Sequence, residues 1–150
     1  MPITQDAYVF VEDATESSDW APAELTAQIG VRPTSSNVSS SGRRCWLYEA
    51  PTSTSLETAS LLLELLRPFS PSERRLRDFV RGHRLRSGVN VRIRMFAEPD
   101  FAASESEGWG VPTPSLHFPA ELLGQLSVMG LSLDLDQYVW TPEDVRQGRT

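Results

Sequence analysis

The spacing of apolar residues changes period several times along the chain, and each change marks an element. Residues 7–12 (Ala-Tyr-Val-Phe-Val-Glu) are β-branched and aromatic and predict a first strand. Asp13 to Asp19 reads as a polar loop. Asp19 is placed to cap a short helix, with Pro22 in its first turn and Gly30 stopping it after Ile29. Residues 34–42 are nearly all Ser, Thr, Asn and Gly and predict a mobile loop. A second strand follows at about 44–50, carrying Cys45, Trp46, Leu47 and Tyr48.

Two helices are predicted next. Thr54-Ser-Leu-Glu57 fits a capping box, with Leu56, Ala59, Leu62, Leu63 and Leu66 as the apolar stripe behind it and Pro68 as its end. Ser70-Pro-Ser-Glu73 fits a second capping box. Its helix buries Leu76, Phe79 and Val80 and closes at Gly82. Strict alternation over 89–97 sets Val89, Val91, Ile93 and Met95 on one face of a strand and Asn90, Arg92, Arg94 and Phe96 on the other. A linker, Glu98 to Pro114, has four acids, no base, and Trp109 between two glycines. Connections longer than about 12–15 residues are uncommon and tend to be functional or disordered. A short strand at 116–118, a helix from Pro119 to about Met129 ended by Gly130, and a last strand at about 131–139 complete the pattern. Residues 142–150 read as a polar tail.

The order is β-α-β-α-α-β-β-α-β in a single domain over 1–150, with its core at about 7–140. It predicts an α+β fold, a mixed or antiparallel sheet with helices mainly on one face. Pro22-Ala-Glu-Leu25 recurs as Pro119-Ala-Glu-Leu122, and Gln28 and Ile29 align with Gln125 and Leu126 at the same offset of 97. An internal duplication would explain the echo, and so would a shared preference for Pro-Ala-Glu-Leu at helix starts.

Several stretches taken together resemble a bacterial family known as domain of unknown function 4279. They are Ala21 to Thr34, Trp46, Leu56 to Leu66 with the proline turn after it, Pro114-Ser-Leu-His-Phe118, and Met129 to Tyr138. The resemblance covers roughly residues 7–140 and implies a compact α+β domain. Its motifs are helix starts, a turn and a closing strand, so it implies no activity and transfers no functional residue.

Composition narrows the chemistry. All 14 basic residues of the 150 are arginine, against 20 acids, for a net charge of −6. Without lysine there is no Walker-type phosphate grip, no Schiff base and no Ser–Lys dyad. No apolar run approaches the ~20 residues of a membrane span, and Met1 to Asp6 lacks the pattern of a signal peptide, so a cytoplasmic location without membrane attachment is expected. Cys45 is the single cysteine, which excludes an internal disulfide and paired-cysteine zinc sites. No metal or cofactor is expected.

Charge is unevenly spread. From Arg67 to Arg94 nine arginines face Glu73 and Asp78, a balance of +7, while the rest of the chain carries −13. Arg74, Arg75, Arg77 and Arg81 are therefore candidates for holding an anion. Nucleic acid is disfavoured as a partner, since neither interleaved aromatics nor a recognition motif accompanies them. Asp134 and Asp136 share a strand face about 7 Å apart and suit either a register-setting ladder with Arg92 and Arg94 or half of a cation site. With His117 they are also the candidates for a small hydrolase or metal-dependent enzyme, although no nucleophile elbow accompanies Ser115. Cys45 follows Arg43 and Arg44, whose charge would activate a thiol, but alternation turns it from Arg44 and favours an inert one. Trp109, flanked by Asp100, Glu105 and Glu107, is the candidate contact surface. The leading expectation is a non-enzymatic, immunity-like module that docks a basic protein. A regulatory domain binding an anion through the arginine cluster is the further alternative.

Overall fold

The fold was analysed in a computed structural model, which describes residues 3–15, 19–99 and 109–148. It is α+β. The major elements follow the expected order around a five-stranded mixed sheet. β1 (Ile3–Glu12) is central, flanked antiparallel by β3 (Arg44–Glu49) and β4 (Arg86–Phe96). β2 (Ser35–Val38) adds to β3, and β7 (Ser132–Trp140) lies parallel to β4. Glu98–Pro99 (β5) pairs with Trp109–Gly110 (β6) in a separate two-residue ribbon.

Alternation decides the layering. Ile3, Ala7, Val9 and Val11 of β1, Trp46 of β3, and Val89, Val91, Ile93 and Met95 of β4 point into one core. Four helices close that core: α1 (Pro22–Ile29), α2 (Thr58–Leu66), α3 (Glu73–Gly82) and α4 (Ala120–Met129), through Leu25, Leu62, Leu65, Leu76, Leu122 and Leu126 among others. All four therefore cover the same side of the sheet. The other side carries none of them.

Helix α1 begins without the Asp19 cap. Its N-cap is Ala21, whose N–H donates to the Glu24 carboxylate at 3.1 Å, and Pro22 follows at the first helical position. Asp19 is instead exposed, with its carboxylate 3.7 Å from His83 Nδ1. Gly30 closes α1 at φ 75° and Gly130 closes α4 at φ 71°, both left-handed. Both Pro-Ala-Glu-Leu segments thus open a helix closed by a glycine, but the sequence offset of 97 becomes 98 at the helix starts, where Pro22 is the first helical residue and Pro119 the N-cap, and 100 at the closing glycines, because α4 is two residues longer.

Helix α2 starts at Thr58, so the Thr54–Glu57 box does not form. The chain before it is held extended along β1: Ala50 N–H donates to Ala7, and Gln5 and Ser53 exchange backbone hydrogen bonds of 2.7 and 2.8 Å. Buried Gln5 then donates to the Ser55 carbonyl and accepts from the Thr58 hydroxyl. This leaves Leu56 exposed and moves the stripe to Leu61, Leu62, Leu65 and Leu66. The Ser70 box is also absent. Arg67–Ser72 tightens into a 3₁₀ turn through Pro68 and Pro71, and α3 starts directly at Glu73 while the Ser72 hydroxyl donates back to Phe69.

Three other segments differ from expectation. The serine-rich stretch holds β2, which pairs Ser35 to Val38 with Leu47 to Arg44 through the backbone and needs no apolar face. Residues 116–118 form no strand; a single bridge joins Ser115 to Glu57. The C-terminal stretch contains a short helix, α5 (Pro142–Arg146), whose start is capped reciprocally by Thr141 and Asp144.

Candidate functional site

The uncovered side of the sheet is shaped chiefly by three strands, with Asp134 and Asp136 added by β7. β1 presents Asp6, Tyr8, Phe10 and Glu12, β3 presents Cys45, Leu47 and Glu49, and β4 presents Arg86, Asn90, Arg92 and Arg94. A concavity of about 500 Å³ lies among them, lined by Tyr8, Phe10, Glu12, Cys45, Leu47, Glu49, Arg86, Asn90, Arg92 and Asp134. Phe10 is buried although it is on this side, because its partner across the β1–β4 pair is Gly88 and the ring fills the space above it.

The floor of the concavity alternates arginine and aromatic rings. Arg92 Cζ lies 5.3 Å from the Tyr8 ring centroid and Arg86 Cζ 5.9 Å from that of Phe10, within reach of cation–π attraction. Arg86 also pairs with Glu12 at 3.2 Å, and Arg94 pairs with Asp6, whose second oxygen accepts from the Thr52 hydroxyl. Once these pairs are set aside, Glu49, Asp134 and Asp136 remain against Arg92. The exposed face is acidic.

Burial pushes the Asp6 carboxyl up, but the Thr52 and Arg94 hydrogen bonds and the charges of Arg94 and Arg92 outweigh it and bring it below its ordinary value. Burial raises the Tyr8 phenol against the opposing charge of Arg92, with Asp136, Cys45 and Glu12 adding to the rise. Burial and then Glu12 raise the Cys45 thiol, and Arg43 offsets only part of this. Half-buried, it is not an activated nucleophile.

Asp134 and Asp136 do share the open face with Arg92 and Arg94, in register Asn90 to Asp134 and Arg92 to Asp136. The pairing chemistry differs from a ladder: Asp136 accepts from Asn90 Nδ2 at 2.9 Å, while Arg94 turns to Asp6 on β1. Asn90 Oδ1 and Arg92 Nε are buried without a hydrogen-bond partner. His117 sits in the exposed connection before α4, next to the Ser115 bridge to the start of α2, and does not line the concavity that holds Asp134. Among the described residues no group of three or more His, Cys, Asp and Glu is arranged to hold a metal ion.

The arginine block divides between the two sides of the molecule. Arg74, Arg75, Arg77 and Arg81 belong to α3 on the helical side, whereas Arg86, Arg92 and Arg94 belong to the open sheet face. Arg75 donates to the Pro71 carbonyl at 3.3 Å and Arg77 pairs with Asp78 at 3.1 Å. Arg74 and Arg81 are exposed. Trp109 contributes its backbone to β6. Asp100, Glu105 and Glu107 lie outside the described residues.

Residues 14–140 match the sequence profile of the family described as "Domain of unknown function (DUF4279)". The chain belongs to that family. No curated protein and no solved structure matches it. The matched region contains β2, β3, β4 and β7 and all four core helices, but it begins after β1. Tyr8, Phe10 and Glu12, which complete the concavity, are thus contributed by a strand outside the family match. Sequence reasoning passed over them because residues 7–12 read only as a β-branched and aromatic strand, with no face assigned to each residue. The alternation Asp6, Tyr8, Phe10, Glu12 was the available signal.

No helix among the described residues is long and apolar enough to cross a membrane.

Proposed function

We propose that this protein is a non-enzymatic binding module of the immunity type, which receives a basic protein on the uncovered face of its sheet. The observation that carries this reading is the one-sided packing: among the described residues four helices cover one face and none of them the other, where Glu49, Asp134 and Asp136 are balanced only by Arg92. A carboxylate-rimmed surface with aromatic rings at its centre suits a cationic partner, speeds its approach at low salt and gives it apolar area to bury. The acidic segment between β5 and β6, with Trp109 and with Asp100, Glu105 and Glu107, extends the same preference.

The test is affinity capture of a basic protein, followed by titration of the purified pair. Binding weakens as salt rises and is lost in the double variant Glu49→Arg, Asp134→Arg. Loss in Trp109→Ala, or on neutralising Glu105 and Glu107, assigns the β5–β6 segment to the same surface. A partner whose affinity ignores both salt and these substitutions overturns the reading.

The exposed guanidinium groups of Arg74 and Arg81 on α3 keep a second reading in view, in which the helical side takes an anion. Calorimetric titration with inorganic phosphate and nucleotides tests it, with heat abolished by Arg74→Gln and Arg81→Gln as the supporting result.

A further inference from the structure

The two edges of the sheet differ in kind. β2 has four residues, whereas β7 has nine and pairs only with β4 among the described residues, so the backbone groups along its outer side are open. Proteins usually keep such edges short or blunt them. Along this one Tyr138 is 46% and Val139 53% exposed, and the indole N–H of Trp140 is shut off from water without an acceptor.

We infer that β7 is the contact between two copies of this chain, which join antiparallel about a two-fold axis at Gln137 and form one ten-stranded sheet. The register follows from which side chains it places opposite one another. With the axis at Gln137, Asp136 faces Tyr138 of the second copy, Asp134 faces Trp140, and Leu135 faces Val139. Each contact occurs twice. Asp136 meets the Tyr138 hydroxyl, Asp134 lies beside the Trp140 ring, and apolar meets apolar, which are the kinds of cross-strand pair that stabilise a sheet. An axis at Asp136 sets that carboxylate against itself. An axis at Tyr138 sets Val139 against Gln137 and Leu135 against Thr141. The nearest axes between residues bring Asp134 or Asp136 opposite Val139 and turn the open face of one copy toward the helical side of the other. Of these registers only the one at Gln137 sets Asp136 against the Tyr138 hydroxyl. It also makes the two open faces continuous.

Light scattering after size exclusion measures the state directly. The expected mass is twice the 16.7 kDa of one chain. Tyr138→Asp sets two carboxylates opposite each other and gives the monomer, with the dimer dissociation constant raised at least tenfold. Adding Asp136→Asn removes the repulsion and restores the dimer. The register is read separately in a Cys45→Ser background: under mild oxidation Gln137→Cys cross-links two chains, and Val139→Cys does not. A wild-type mass of one chain at tens of micromolar, a dimer unmoved by Tyr138→Asp, or equal cross-linking by both cysteine variants overturns the inference. None of these measurements involves the basic partner, so this inference and the proposed function stand or fall separately.

Discussion

Phe10 and Gly88 face one another across the β1–β4 pair, and the phenyl ring occupies the space that a side chain at residue 88 would need. A Cβ on Gly88 would lie 2.9 Å from Phe10 Cζ and would also collide with the Ser132 hydroxyl. Gly88→Ala therefore destabilises the fold by about 1–3 kcal/mol, the usual cost of overpacking. Urea denaturation checks this. The double variant Phe10→Ala, Gly88→Ala loses less than the sum of the two single changes, because removing the ring relieves its share of the clash and leaves only the collision with the Ser132 hydroxyl.

A second prediction concerns Asp13, which is fully buried at the end of β1. Its carboxylate accepts from the Trp20 indole N–H and from the Arg44 backbone N–H, both at 2.6 Å, with the Arg44 guanidinium 4.0 Å away. It ties the loop before α1 to β3. Asp13→Ala leaves two donors facing an apolar void and lowers stability by about 3 kcal/mol or more, at ~1.5–3 kcal/mol per hydrogen bond to a charged group. Asp13→Asn keeps one acceptor oxygen and costs less. Denaturant midpoints of the two variants, followed by tryptophan fluorescence, give the comparison.

The pH dependence on the acid side has an identifiable contributor. The Asp6 carboxyl is lowered in the folded state: burial works against this, but Thr52, Arg94 and Arg92 prevail. A lowered carboxyl binds fewer protons folded than unfolded. Its stabilisation is therefore complete above the unfolded-state value and is lost as pH falls through the folded-state value. Asp6→Asn lowers stability near neutrality and flattens the acid limb of the stability curve. Thermal melts across that pH range measure the change in slope, and an unaltered slope contradicts the assignment.

At Cys45 the local sequence and the folded environment push in opposite directions. Arg43 and Arg44 immediately precede it along the chain, yet burial and Glu12 raise its thiol above the ordinary value. Alkylation by iodoacetamide at neutral pH is accordingly slower than that of a free cysteine. Glu12→Gln removes one of the causes and accelerates the reaction. A rate equal to or above that of the free amino acid contradicts the structure.

What the sequence disclosed and what it withheld divide along one physical line. Periodicity is a local property, and it placed β4, its buried face and the shared open face of Asn90, Arg92, Arg94, Asp134 and Asp136 correctly. Pairing is a long-range property. That Arg94 binds Asp6 and Arg86 binds Glu12, rather than Asp134 or Asp136, depends on β1 lying beside β4 and on their register. Capping boxes at Thr54 and Ser70 met the local criteria and failed for the same reason: extended pairing with β1 holds the chain until Ser53, and two prolines favour a 3₁₀ turn before Glu73. β2 was concealed because an edge strand of exposed serines is specified by backbone pairing with β3, not by an apolar pattern. The concavity was only half legible, since its aromatic floor comes from β1.

The central place of β1 also sets an order of events during synthesis. Glu12 pairs with Arg86 and Ile3 with Met95, so partners in the middle of the sheet are 74 to 92 residues apart. β1 leaves the ribosome well before its longest partner β4, and the parallel strand β7 joins only after α4. Pairings of such long range slow folding, and an unpaired apolar strand is exposed to aggregation meanwhile. A nascent chain that has not yet released β4 therefore carries β1 with one edge unpaired, and translation rate between β3 and β4 becomes a determinant of soluble yield.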